Sequence, residues 1–154
     1  MDQRRFARAK SCATAICCGW IMAFALPQLA GAAQFKGPIE ARVVQVLDGD
    51  TFLADAHVWP GQSVRVNIRI RGIDAPEMKS RCLAERSAAL EARAVLADLL
   101  GGGRISISNI GGAKYYGRVL ADVDTEGGEA VSEILLTLRL VRPYWGGRRE
   151  SWCN

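Results

Sequence analysis

The spacing of hydrophobic and polar residues in the first half of the chain predicts three strands. Residues 38–47 are rich in β-branched side chains and predict a first strand, ended by an Asp-Gly turn signal. Residues 51–58 predict a second strand, and residues 59–62 a hairpin turn, because a Pro-Gly pair supplies its special dihedral angles. The alternation is clearest over residues 64–73. One face of this third strand is apolar and the other is polar and basic: Val64, Val66, Ile68 and Ile70 against Arg65, Asn67, Arg69 and Arg71.

The periodicity changes in the second half of the chain. Residues 83–100, rich in Ala, Leu, Glu and Arg, predict an amphipathic helix that the glycine run 101–103 ends. The remaining predicted elements are two strands over 105–110 and 116–123, a short helix over 130–138 and an irregular tail over 141–154. Five strands in mostly antiparallel order, with a helix after the third, predict a mainly β (α+β) domain. We expect a five-stranded Greek-key β-barrel of OB type with two short packed helices.

The first 33 residues have the pattern of an export signal. Basic residues open the segment, an uncharged run with a strongly apolar core over residues 13–26 follows, and small residues precede a cleavage site after Ala32 or Ala33. We therefore predict a cleaved signal peptide over 1–33 and a periplasmic or secreted domain over 34–154, without stable membrane association. An uncharged run of this length is also long enough to span a bilayer. A structural domain tethered to the membrane by a retained leader is the alternative.

The leader also carries most of the excess positive charge. The chain has 20 Lys and Arg against 16 Asp and Glu, and four of the basic residues and one acidic residue belong to the leader. The predicted domain therefore has 16 basic and 15 acidic residues. This near neutrality excludes a diffuse polybasic nucleic-acid binder. Any affinity for phosphate must come from locally placed arginines and a metal.

Two cysteines remain after the leader, Cys82 and Cys153. In an oxidising exported compartment they predict one disulfide, which would tie down the C-terminus. The loop of about 70 residues would be worth on the order of 4 kcal/mol in the chain-entropy model. Two unrelated free thiols are the alternative. With two cysteines and one histidine in the domain, a Cys/His zinc site is not expected.

Two short acidic clusters flank the arginine-bearing third strand: Asp48-Gly49-Asp50-Thr51 and Asp74-Ala75-Pro76-Glu77. Carboxylates hold hard divalent cations, which polarise a phosphoryl oxygen and lower the pKa of a bound water. A guanidinium such as that of Arg69 grips phosphate oxygens, and a further carboxylate can act as general base. The sequence thus predicts metal-assisted phosphodiester hydrolysis, with Asp50 and Asp74 as natural ligands.

Together with Tyr116-Gly117-Arg118-Val119-Leu120-Ala121, these clusters resemble the thermonuclease (staphylococcal-nuclease-like) family over about residues 43–144. The resemblance implies an OB barrel that hydrolyses DNA and RNA with calcium and little sequence specificity. It assigns calcium to Asp50, Asp74 and the backbone carbonyl of Ala75, with Asp48 supporting them.

The same resemblance makes Glu77 the general base, or the residue that orients the water. Arg69 and Arg118 would contact the phosphate, and Arg118 would also help the leaving group. We further expect Tyr116 and Tyr144 to contact the substrate, single-stranded DNA or RNA, in a monomeric enzyme. Packing of the barrel end is the alternative for Tyr144. The alternative is a catalytically silent OB module that binds nucleic acid or protein, although such modules normally show broken acidic and arginine positions.

The chain departs from the family pattern in several places. Its hairpin is longer, with residues 56–62 the excess, and the loop from Glu77 to the first helix is short. Lys114-Tyr115 stands where an acidic and then a basic residue are usual. The family's last helix is mostly absent, and we expect the Cys82–Cys153 bridge to replace some of its tethering.

Overall fold

Five strands close into a barrel in the computed structural model, which describes residues 34–101, 103–113 and 117–153. They are β1 (Ile39–Val46), β2 (Thr51–Trp59), β3 (Gln62–Ile70), β5 (Arg104–Gly112) and β6 (Arg118–Asp124). The spatial order is β1-β2-β3-β6-β5, and β5 pairs back with β1. The β3–β6 pairing is parallel and the others are antiparallel. This closed barrel confirms the predicted fold class.

Two helices pack against the barrel. Helix α1 (Leu83–Leu100) has the predicted bounds and buries Ala89, Ala92, Leu96 and Leu100. It ends at Gly101, whose φ of 52° is left-handed and therefore suits glycine. Helix α2 (Val131–Thr137) buries Val131 and Leu135. Within the described part of the chain, neither helix is both long and apolar enough to cross a membrane.

The predicted apolar face of β3 is buried over only half its length. Ile68 and Ile70 are buried in the core, whereas Val64 is half exposed. The reason is that β6 pairs only with residues 67–70 of β3, so the outer part of the β2–β3 hairpin extends beyond the neighbouring strand. The long hairpin therefore projects from the barrel.

The tail is not wholly irregular, contrary to the prediction. Arg142–Pro143 (β7) pairs antiparallel with Ile73–Asp74 (β4), and the Tyr144 amide donates to the Gly72 carbonyl at 2.8 Å. At the other end of the tail a disulfide joins Cys82 and Cys153, as predicted. Main-chain pairing depends on which segments meet in space, and side-chain alternation over two residues carries no signal for it. The predicted leader lies outside the described residues.

Candidate active site

The first acidic cluster is a tight turn between β1 and β2. The amides of Leu47 and Asp48 donate to the Thr51 carbonyl, and the Asp50 amide donates to Oδ1 of Asp48 at 3.1 Å. Asp48 thus stabilises the turn that presents Asp50, which is consistent with a supporting role. Asp50 itself is buried, with 2% of its surface exposed.

Gly49 allows close packing around this turn. A Cβ at this position would lie 2.7 Å from Cβ of Ala92 on α1 and 2.9 Å from Cβ of Ala75. Both distances are shorter than van der Waals contact allows. The absence of a side chain therefore lets the helix and the second acidic cluster pack against the turn.

The two acidic clusters are joined by a direct hydrogen bond. The amide of Ala75 donates to Oδ2 of Asp50 at 2.9 Å, across 25 residues of sequence. Asp74, immediately before Ala75, is also buried, with 4% exposed. The fold thus brings together the residues predicted to bind a cation.

Arg69 bridges the two buried carboxylates. Its Nη1 donates to Oδ1 of Asp50 at 2.5 Å, and its Nη2 donates to Oδ1 of Asp74 and to the Ile73 carbonyl, both at 3.2 Å. About a fifth of the side chain stays exposed. The arginine predicted to bind phosphate is thus held beside the predicted cation ligands.

Arg149, in the tail, is part of the site although no motif in the sequence marks it. Its Nε donates to Oδ2 of Asp74 at 2.9 Å, its Nη2 donates to the Ala75 carbonyl at 2.6 Å, and its Nη1 pairs with Oε1 of Glu77. These contacts span more than 70 residues. The nearby Cys153 was the only signal in the sequence that the tail is tied back.

A second residue not identified from sequence is Glu85, in the first turn of α1. The amide of Glu77 donates to Oε1 of Glu85 at 3.1 Å. A hydrogen bond from Ser80 is the main cause that lowers the pKa of Glu85. The carboxylate therefore anchors the main chain of the loop that carries Glu77.

Burial and the oppositely charged partners shift the pKa values of Asp50 and Arg149 in opposite directions. Burial raises the pKa of Asp50 to about 6, and the nearby Asp48 adds to the rise, whereas Arg69 and the Ala75 amide oppose it. Burial lowers the pKa of Arg149, but its bonds to Asp74 and Glu77 outweigh this, and the net shift is upward. Negative charge on Asp50 is therefore costly without a compensating cation.

Arg118 is the first residue of β6, opposite Asn67 in the parallel pairing with β3. Directly paired residues share a face, so Arg118 lies on the same face as Arg69, two positions earlier along the strands. This corresponds to about 7 Å along the strand direction. The fold thus brings the second predicted phosphate contact to a neighbouring strand.

Of the two tyrosines predicted to contact substrate, the structure describes Tyr144 but not Tyr116. Tyr144 is half-buried, and its hydroxyl donates to the Gly147 carbonyl at 2.8 Å. This hydrogen bond joins two residues of the tail and so stabilises the conformation of the tail. Tyr116 lies outside the described residues, as does Lys114-Tyr115. Trp145 follows Tyr144 and is 84% exposed, with its ring 3.3 Å from where a Cβ on Gly72 would lie.

Over the described ranges, no three Asp, Glu, His or Cys side chains cluster as a metal site. Two carboxylates and one main-chain carbonyl lie close together here, because Asp74 and the Ala75 carbonyl both contact Arg149 and Asp50 accepts from the Ala75 amide. Oxygen donors of this kind suit hard cations such as calcium. The guanidinium of Arg149, itself a cation, is bound by several oxygens here, so the donor set fits a positively charged occupant.

The fold and this site define an OB-type barrel with a buried carboxylate pair bridged by Arg69. No protein-family model matches the chain, and a search of curated proteins finds no match.

Proposed function

We propose that this protein is an exported, calcium-dependent nuclease that hydrolyses phosphodiester bonds of DNA and RNA with little sequence specificity. The observation that carries the proposal is the contact of Arg69 with both Asp50 and Asp74. A guanidinium for phosphate beside two carboxylates for a cation is the combination that phosphodiester hydrolysis needs.

In this proposal Asp50, Asp74 and the carbonyl of Ala75 hold calcium. The bound ion would supply charge stabilisation to a phosphoryl oxygen. Asp48 keeps the turn that presents Asp50, and the Ala75 amide orients the Asp50 carboxylate. The burial of Asp50 supports this role, because a buried carboxylate gains most from a neighbouring cation.

Glu77 acts on the water. Its side chain is 58% exposed, so water reaches the carboxylate. The carboxylate takes a proton from the water as the water oxygen attacks phosphorus, and the bond from phosphorus to the leaving sugar oxygen breaks. Arg69 and Arg118 bind the phosphate oxygens, and Arg118 assists the leaving oxygen. The substrate is single-stranded DNA or RNA, and the enzyme is a monomer.

The export assignment rests on residues 1–33. Cleavage after Ala32 or Ala33 would release a periplasmic or secreted domain. Mass spectrometry of the protein made by an exporting host tests this, because an N-terminus still at Met1 excludes cleavage and favours the membrane-tethered alternative.

A second candidate is a catalytically silent OB module that binds nucleic acid or protein. One observation favours it: Arg149 pairs with Asp74 and Glu77, two of the carboxylates that hydrolysis would use. Binding without cleavage would then depend on the barrel surface and the arginines alone.

Incubation of the processed protein with single-stranded DNA, in calcium or in a chelator, separates the two candidates. We expect cleavage in calcium and none in chelator, with severe loss in Arg69→Gln. Arg65→Gln is the matched control, because Arg65 lies on the same face of the same strand but pairs with Asp55, away from the acidic clusters. Binding without calcium-dependent cleavage would support the silent module.

A further inference from the structure

The guanidinium of Arg149 is bound to two of the three proposed calcium ligands, Asp74 and the carbonyl of Ala75. It contacts both oxygens of Asp74, Oδ1 at 2.8 Å and Oδ2 at 2.9 Å, and the Ala75 carbonyl at 2.6 Å. It also pairs with Glu77, the proposed general base. One tail residue thus contacts two of the three proposed ligands and the residue proposed to activate water.

These contacts and a bound calcium ion exclude each other. Calcium takes oxygen ligands at about 2.3–2.6 Å, and it would need the lone pairs of Asp74 Oδ2 and of the Ala75 carbonyl, to which Arg149 donates and Arg69 does not. Two positive charges within a few ångströms of each other would also repel strongly beside buried groups. Asp74 is 4% exposed, which leaves little room for calcium to approach its carboxylate from another side.

The tail is held at both ends, so Arg149 stays close to the site. Its start pairs with β4 through Arg142 and Pro143, and its end is bonded to Cys82 through Cys153. Arg142 also stacks on the ring of Trp152, with 3.9 Å from its Cζ to the centroid. A short tethered segment has a high effective concentration at its target.

We propose that Arg149 is a tethered internal competitor of the divalent cation, and that the tail thereby sets the cation affinity of the site. This inference rests on the proposed function, because it takes Asp74 and Ala75 as cation ligands. Calcium binding requires Arg149 to leave Asp74 and Ala75. The apparent affinity is reduced by the fraction of molecules in which the guanidinium holds the site.

Titration calorimetry with calcium chloride on the processed, disulfide-intact protein tests this without any measurement of cleavage. If Arg149 holds the site in nine molecules of ten, Arg149→Gln lowers the calcium Kd by about tenfold. Arg148→Gln is the matched control, because Arg148 is the adjacent, exposed arginine and carries the same charge. We expect it to change the Kd by less than about twofold.

A second variant removes the disulfide that tethers the tail and keeps the positive charge of Arg149. Cys153→Ser leaves Arg149 in place but frees the end of the tail, so the effective concentration of the guanidinium falls and calcium should bind more tightly than in the parent. Calcium should also change the fluorescence of the tail tryptophans in the parent protein, since the tail has to move.

The possible failures are distinct. Equal calcium affinity in the parent and Arg149→Gln would overturn the competition while leaving the proposed calcium site intact. An equal gain in Arg148→Gln and Arg149→Gln would overturn it as well, because the effect would then be one of net charge. If no variant binds calcium, the metal-dependent function itself is wrong, and the competition falls with it.

Discussion

The main-chain amide of Ala75 donates a 2.9 Å hydrogen bond to Oδ2 of Asp50, so the second acidic cluster orients the carboxylate of the first. Oδ1 of the same carboxylate accepts from Arg69 at 2.5 Å and from the Thr51 hydroxyl at 2.8 Å. Each oxygen of Asp50 is therefore bonded within the protein. The site is stabilised by these contacts independently of any ligand.

Replacement of Arg69 should destabilise the protein. Arg69→Gln removes the donor shared by two buried carboxylates, and we expect a loss of about 1–3 kcal/mol in the free energy of unfolding. Arg65→Gln, which breaks an ion pair at the surface, should change stability much less, because exposed ion pairs contribute little. Urea unfolding at pH 7.5 in chelator measures both. Equal losses in the two variants would mean that the contacts of Arg69 with Asp50 and Asp74 add no more stability than a surface ion pair does.

The pH dependence of stability should report the ionisation of Asp50. Its pKa rises from 3.8 to about 6 in the folded protein, so the folded state holds this proton more tightly than the unfolded chain does. The stability contribution is therefore present below about pH 4 and is lost as pH rises through about 6. Asp50→Asn lacks this titration, and between pH 4 and 7.5 it should gain on the parent by about 1–3 kcal/mol. Unfolding curves in chelator at both pH values test this, and a constant difference would contradict it.

The disulfide should contribute substantially to stability. The Cys82→Ser/Cys153→Ser double variant frees a loop of 71 residues, and we expect a loss of about 2–4 kcal/mol. A reducing agent should lower the stability of the parent protein by a similar amount. The same agent should leave the double variant unchanged. Thermal unfolding with and without the reductant measures both effects.

A side chain at Gly49 should separate the elements that meet at the first acidic turn. The Cβ of Gly49→Ala would lie 2.7 Å from Ala92 and 2.9 Å from Ala75, and we expect a cost of about 1–3 kcal/mol. Gly112→Ala is the control, because a Cβ at that strand position meets nothing within 4 Å. Chemical unfolding of the two variants measures this. A stable Gly49→Ala protein would show that α1 can move away from the turn.

Glu77 should matter for cleavage more than for folding. Its side chain is 58% exposed, so Glu77→Gln should change stability little, while the cleavage rate in calcium should fall by about 10²–10⁴-fold. Glu91→Gln, an exposed position on α1, should leave the rate unchanged. Initial rates on single-stranded DNA decide this. An undiminished rate in Glu77→Gln would exclude the residue as general base.

Local pattern was sufficient for most of the fold. Runs of β-branched residues and alternation predicted three strands that correspond to β1 to β3, although β3 ends at Ile70 rather than at residue 73. Helical spacing with a glycine stop placed α1 at residues 83–100, as observed. It failed where the environment of a strand depends on its neighbours. Val64 has the same alternation as Ile68 but is half exposed, because β6 pairs only with residues 67–70.

The sequence by itself determined the barrel, the disulfide partners and the residue types at the two acidic clusters. The barrel follows from periodicity, the disulfide from the two cysteines left after the leader, and the clusters from short motifs. Only the tertiary structure decided that Arg69 bridges Asp50 and Asp74, and that the tail brings Arg149 onto Asp74 and Ala75. Contacts between residues more than 70 positions apart depend on how the chain closes in space. Arg149 is held in place by a two-residue strand pairing and by a disulfide. Neither of these produces a repeating pattern along the chain.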